Sequence, residues 1–249
     1  MRLPVYLVDA FADAPFTGNP AAVVPLEEPL DDATMQRIAM EMNQAETAFV
    51  LPGLTLRWFT PTVEVDLCGH ATLAAAHVFW ERGAEGVLRF KTRSGVLAAE
   101  RRADGILLDF PAEPPIAAPV PLFPDALWTG RNRMDWFVQL SDEAAVRGLK
   151  PDFAVIAALG MRGLIVTARG SETDFVSRCF YPQSGVDEDP VTGSAHCALA
   201  PFWAERLGKT EMVGYQASRR GGAVSVSLRG DRVRLEGCAV TTLRGEFSF

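Results

Sequence analysis

The chain has 249 residues, 48% of them hydrophobic, enough for one large core or two modest ones, and a formal net charge of −7. That charge excludes a nucleic-acid surface, because the basic pairs Arg101-Arg102 and Arg219-Arg220 stand isolated. The longest apolar run, 71–80, falls short of the ~18 residues of a membrane span. Four cysteines without paired spacing lead us to expect a reduced, cytoplasmic protein.

In chain order, strands are predicted at 2–9 and 21–24 around the turn-rich FADAPFTGNP. A helix follows from about 32 to 42, with Asp31 or Asp32 as its N-cap. AETAFVLP and TLRWFTP alternate as strands do. RWFTPTVEVDLCGHATLAAAHVFWERG then passes from a strand ending at Pro61 through an acidic loop to a helix opened by Gly69. This helix is apolar nearly all round, so it must be buried on every side, with strands curled about it. Hairpins follow, turning at Ser94-Gly95 and Ala103-Asp104-Gly105. The proline-dense PAEPPIAAPVPLFPDALWTG reads as an extended linker, centred on about 111–127. Short helices in DEAAVRGL and DFAVIAALG, and strands near 163–168 and 174–180, lead into a second SRCFYPQSGVDEDPVTGSAHCALAPFWAERLG unit.

The two long units are in register. Gly69 and Gly193 stand 124 positions apart, as do Glu81 and Glu205. Both units close with repeated hairpins, and the second helix, over 195–203, contains Pro201, which should kink it or break a hydrogen bond. The last strand, 238–247, has no counterpart within the repeat and is expected to return to the first lobe. The expected fold is α+β: two pseudo-symmetric lobes, each a curved, mostly antiparallel sheet around a buried helix. The lobes are drawn at 1–112, joined by about 241–249, and at 113–240, with one cleft shared between them.

Chemistry is expected at the helix starts, where unpaired N–H groups and the helix dipole favour anions. His70 follows Gly69 and is matched 124 positions on by Ser194, so each start offers backbone donors and one side-chain donor. A small carboxylate or phosphate fits such a pair. Glu46, at the mouth of an apolar strand, suits proton transfer if apolar neighbours raise its pKa, although a solvated strand-end glutamate is the commoner outcome. Asp189 lies in an acidic loop that Pro190 stiffens, and either orients a basic group or is solvated. Cys68 is a candidate thiolate or a small packing residue. His77 is expected to pack, and His196 is left open. Three histidines and four cysteines without ligand spacing suggest no metal. No dinucleotide fingerprint supports a nicotinamide cofactor.

VDAFADAPFTGNPAAVV, MNQAETAFV, RWFTPTVEVDLCGHAT, GVDEDPVTGSAH and the RGG hairpin, in that order, resemble the PhzF-like (phenazine biosynthesis isomerase) family, which shares the diaminopimelate epimerase fold. The resemblance implies cofactor-independent isomerisation of a small carboxylate by proton movement, in a homodimer. It further implies Glu46, His70 and Asp189 as catalytic residues. Gly69, Gly193, Ser194, Thr72 and Asn19 are assigned by it to substrate binding. Related two-thiol epimerases carry a cysteine at each helix start; Cys68 matches the first, and the second is matched to Pro190, which breaks the thiol pair. Two alternatives remain: a single-thiol racemase or epimerase using Cys68, and a binding module without turnover.

Overall fold

A computed structural model describes residues 1–103, 105–120 and 122–249; Asp104 of the first-lobe turn and Pro121 of the linker lie outside the described residues. The chain forms two compact units, Met1–Asp109 with Glu236–Phe249, and Phe110–Leu235.

The first unit opens with β1 (Arg2–Ala10), β2 (Asn19–Pro25), α1 (Asp32–Met42), β3 (Glu46–Leu51), β4 (Thr55–Phe59) and β5 (Glu64–Val65). Asp31, not Asp32, caps α1, its carboxylate accepting from the Thr34 N–H at 2.9 Å. β2 runs antiparallel to β1 and parallel to β3, with Ala21 opposite Glu46, and β4 is antiparallel to β3. On the α1 face, Leu3, Val24, Met35, Ile38 and Phe49 form the core, and Phe49 meets Phe59 edge-on at 5.5 Å. Against this sheet lies α2 (Gly69–Glu81), buried from Gly69 through Ala76 and again at Val78 and Trp80, and touching β1, β2 and β3. A helix of small residues lets the strands close on it from several sides. The unit continues with β6 (Leu88–Thr92), β7 (Gly95–Arg102) and β8 (Gly105–Pro111), paired as consecutive antiparallel strands.

The second unit repeats this plan. It comprises β9 (Ile116–Ala117), β10 (Trp128–Arg131), β11 (Asp135–Gln139), α3 (Glu143–Gly148), α4 (Phe153–Ala157), β12 (Gly163–Arg169), β13 (Phe175–Tyr181), β14 (Val186–Asp189), α5 (Gly193–Leu207), β15 (Glu211–Gln216), β16 (Gly222–Arg229) and β17 (Arg232–Gly237). β10 and β11 are antiparallel, β11 and β12 parallel, and β12 and β13 antiparallel. The same sequence of pairings joins β1 to β4, so the repeat begins upstream of the motifs that reveal it. The linker reading ran too far: the stretch ends in β10, whose Gly130 accepts the Trp128 ring so closely that a Cβ there would lie 2.1 Å from it.

Helix α5 stays continuous through Pro201. Proline removes the N–H that would bond the carbonyl four residues back, that of Cys197. The Glu113 N–H donates to that carbonyl instead, at 2.9 Å. The last strand, β18 (Ala239–Ser248), pairs antiparallel with β1 along its whole length and so belongs to the first unit. His77 packs at this seam, half-buried, with Nε2 3.1 Å from Thr241 Oγ1 and 3.4 Å from Glu81 Oε1.

Candidate active site

In the first unit, strand register gathers the polar residues. Side chains two apart on a strand share a face, as do residues opposite one another in a ladder. Asn19, Ala21 and Glu46 therefore project to one face, beside the start of α2. Gly18 makes this arrangement possible: its φ is +65°, and a Cβ would lie 2.2 Å from the Ala10 carbonyl oxygen. His70, on the first turn of α2, is fully buried, with Nε2 3.2 Å from Glu46 Oε2 and Nδ1 3.2 Å from Asn19 Nδ2.

Burial pushes the His70 imidazole down to about 3, so the ring is neutral at ordinary pH. With the Asn19 amide as donor, Nδ1 accepts and the ring proton sits on Nε2. The Glu46 oxygen lies near that nitrogen but off the line of a hydrogen bond. Its carboxylate is 18% exposed against 4% for the His70 side chain, so it forms the open edge of the group. Cys68 is the N-cap of α2, makes no side-chain capping bond, and has its sulfur 3.5 Å from His70 Nδ1. Thr72, assigned to the substrate, is buried and donates to the Cys68 carbonyl at 2.5 Å. It braces the helix start.

In the second unit, Thr192 is the N-cap of α5. The residue matching Cys68 is thus Thr192 and not Pro190, because both cap their helices one position ahead of the shared glycine. The thiol pair remains broken. Thr192 Oγ1 donates to Asp189 Oδ2 at 2.5 Å, and the Gln216 amide donates to the Asp189 carbonyl at 2.7 Å while accepting from the Thr192 N–H at 2.8 Å. Asp189 is buried and held, not a member of a solvated acidic loop. Ser194 Oγ accepts from Arg162 at 3.1 Å, and Arg162 grips the wholly buried Asp135 with two N–H groups, one at 2.8 Å. The guanidinium also lies over the Tyr181 ring, 4.7 Å from its centre.

His196 is buried on the inner side of α5, its Nδ1 donating to the Thr192 carbonyl at 2.8 Å and its Nε2 making no hydrogen bond. Burial pushes it down to about 4. Burial likewise pushes the Cys179 thiol up, so it is no thiolate.

Sequence reasoning missed Arg162, Asp135 and Gln216. The available signal was a polar residue directly ahead of an apolar run, as in RGLIV and DWFVQL, which marks a side chain at the rim of a strand. Sequence spacing also suggested no metal ligands, yet one donor atom each from Glu46, Cys68 and His70 lies within 4.8 Å of the others. Three separate elements supply them, which linear spacing does not register.

The fold is α+β and epimerase-like, and the chain is an isomerase, as its similarity to named isomerases over nearly its whole length shows. The family model for phenazine biosynthesis-like proteins matches residues 8–245, and the chain belongs to that family. It is 49% identical to an uncharacterized isomerase of Halalkalibacterium halodurans, over 99% of this chain and 98% of that one. It is 50% identical to an uncharacterized isomerase of Pseudomonas aeruginosa, over 98% of each. The crystal structure of a PhzF-family phenazine biosynthesis protein from Enterococcus faecalis is 44% identical and superposes with a TM-score of 0.95 over all of both chains. A predicted epimerase from P. aeruginosa, 21% identical over 98% of this chain and 99% of its own, shares the fold at a TM-score of 0.72. No helix among the described residues is long and apolar enough to cross a membrane.

Proposed function

We propose that this isomerase moves a proton between carbons of a small carboxylate, with Glu46 as the acid and base and no metal or organic cofactor in the step. The observation that carries the reading is Glu46 itself. It is a partly exposed carboxylate at the edge of a buried group, 3.2 Å from a neutral imidazole. A base that removes a proton from carbon must reach the carbon acid and be shielded from bulk water. The buried ring offers an Nε2–H that can donate to the Glu46 carboxylate when the side chain aligns with it, and Asn19 fixes that tautomer. The N–H groups at Gly69 suit the substrate carboxylate.

Asp189, Ser194 and Gly193 belong to the reading through the duplication, with Arg162 holding Ser194 in place. The homodimer rests on the family resemblance alone and the cytoplasm on the cysteine pattern; light scattering on the purified chain checks the former.

A panel of small cyclic and amino carboxylates in deuterated water provides the test. The wild type is expected to incorporate deuterium at one carbon of at least one member. Glu46→Gln keeps the size and should slow that exchange by ~10²–10⁴-fold, the usual worth of a positioned base. Cys68→Ala should slow it only a few-fold. A second reading has its own observation, the Cys68 sulfur at the α2 start beside His70. A dead Cys68→Ala enzyme with an active Glu46→Gln enzyme establishes the thiol mechanism instead. A wild type that exchanges no panel member overturns the small-carboxylate assignment.

A further inference from the structure

We infer that Glu46, Cys68 and His70 form a binding site for a borderline-soft divalent cation of the zinc class, and that the cation shuts the isomerase off. The binding stands on geometry alone; the shut-off rests on the role given to Glu46 above.

A tetrahedral zinc ion holds sulfur at ~2.3 Å and nitrogen or oxygen at ~2.0 Å, so its donors stand ~3.2–3.6 Å apart. Cys68 Sγ and His70 Nδ1 are already 3.5 Å apart, one edge of that tetrahedron without movement. The Glu46 carboxylate lies within the same 4.8 Å group. It is partly exposed and sits 3.2 Å from His70 Nε2, so joining an ion on Nδ1 takes a turn about its side-chain bonds toward the sulfur side of the ring. The ion takes Nδ1 in place of the Asn19 amide, the ring keeps its proton on Nε2, and the Cys68 thiol releases its proton to solvent. Water fills the fourth position, on the exposed side of Glu46.

Thiolate, imidazole and carboxylate together favour zinc over magnesium or calcium, which seek oxygen ligands. The donors' origin is also informative. Cys68 and His70 flank Gly69 on a braced helix start, while Glu46 opens a strand set by ladder register. Two of the three ligands are thus buried and held before an ion arrives. A bound ion would occupy the carboxylate that must meet the substrate and would remove the ring nitrogen from its Asn19 contact. Inhibition follows without any change of fold.

The test uses the full chain, first stripped with a chelator, and titrates it with cobalt(II) as a spectroscopic stand-in and then with zinc. One equivalent of cobalt should produce a thiolate-to-cobalt charge-transfer band, and one equivalent of zinc should erase it. Cys68→Ser should abolish the band and weaken zinc by at least ~10-fold, as losing one ligand of three requires. Cys238→Ser, a cysteine outside the group, should leave both unchanged. Magnesium should not compete. No band, or a band that survives Cys68→Ser, overturns the site, and circular dichroism on each variant shows that loss of fold is not the cause. Deuterium exchange on the panel above, with and without one equivalent of zinc, reads the second half. Wild-type exchange unaffected by a zinc ion that demonstrably binds overturns the shut-off while the site stands. A wild type that exchanges nothing overturns the isomerase reading, and the cobalt band still decides the site.

Discussion

The two units place different chemistry at the same position. In the first, β2 and β3 run parallel with Ala21 opposite Glu46; in the second, β11 and β12 run parallel with Asp135 opposite Gly163. The position that carries the Glu46 carboxylate is therefore glycine in the second unit. It has to be, because a Cβ on Gly163 would lie 2.1 Å from the Phe180 carbonyl oxygen. Opposite, small Ala21 is replaced by buried Asp135, which anchors Arg162 against Ser194. One helix start thus faces a neutral imidazole and a partly exposed carboxylate, and the other a buried ion pair. Both units keep the backbone plan, and a single glycine leaves the second without a carboxylate at that position.

The sharpest way to break that contrast is to weaken the anchor. Asp135→Asn leaves the Arg162 charge without its buried partner and is expected to cost ~3–5 kcal/mol in urea unfolding. Glu46→Gln, at the matching strand pair, should shift stability by no more than about 1 kcal/mol, since its carboxylate is partly exposed and the amide keeps its size and hydrogen-bonding capacity. Equal losses in the two variants would mean that Glu46 is as structural as Asp135, and the division of labour would fall.

Acid offers a gentler test of the second helix start. His196 is buried and its folded pKa is depressed to about 4, against 6.5 for the free side chain. Below pH 6.5 the unfolded chain takes up a proton that the folded chain refuses, so stability is complete above pH 6.5 and falls as the pH drops toward 4. The slope is at most ~1.4 kcal/mol per pH unit for one such group. His196→Asn retains an N–H for the Thr192 carbonyl and should flatten the slope between pH 6.5 and 4.5 in urea titrations. An unchanged slope would place the acid sensitivity elsewhere.

Much of this comparison was legible in the sequence because glycines and apolar periodicity report the backbone. The two helix starts, the buried character of α2 and the returning last strand could all be read that way, whereas Glu46, His70, Asp189 and Ser194 were candidates near those starts whose roles came from the family resemblance. Arg162 and Asp135 could not, because they stand 27 positions apart and neither lies in a motif. The Glu46–Cys68–His70 group escaped for the same reason: ladder register, not spacing, joins β3 to α2. The reading of Pro201 shows the limit most plainly. Proline announces a lost hydrogen bond, but only the fold shows what replaces it.

That replacement makes the smallest predicted effect. An interior proline ordinarily costs a helix ~3 kcal/mol or more, through the missing N–H and the clash with the carbonyl four residues back. In α5 the Cys197 carbonyl instead accepts from the Glu113 N–H, which lies in the chain ahead of β9. Pro201→Ala restores a donor to a carbonyl that already has one, so little is gained from the bond itself. The variant also gives the unfolded chain more freedom, which offsets part of any gain. The expected change is therefore below about 1 kcal/mol in either direction, read by urea unfolding. The matching position in α2 is His77, where no proline interrupts the helix and, among the described residues, no N–H from outside the helix donates to the Leu73 carbonyl. His77→Pro should cost the full interior penalty. If Pro201→Ala instead stabilises by ~3 kcal/mol, the Glu113 bond does not compensate, and the two helices differ by an unrelieved defect in the second.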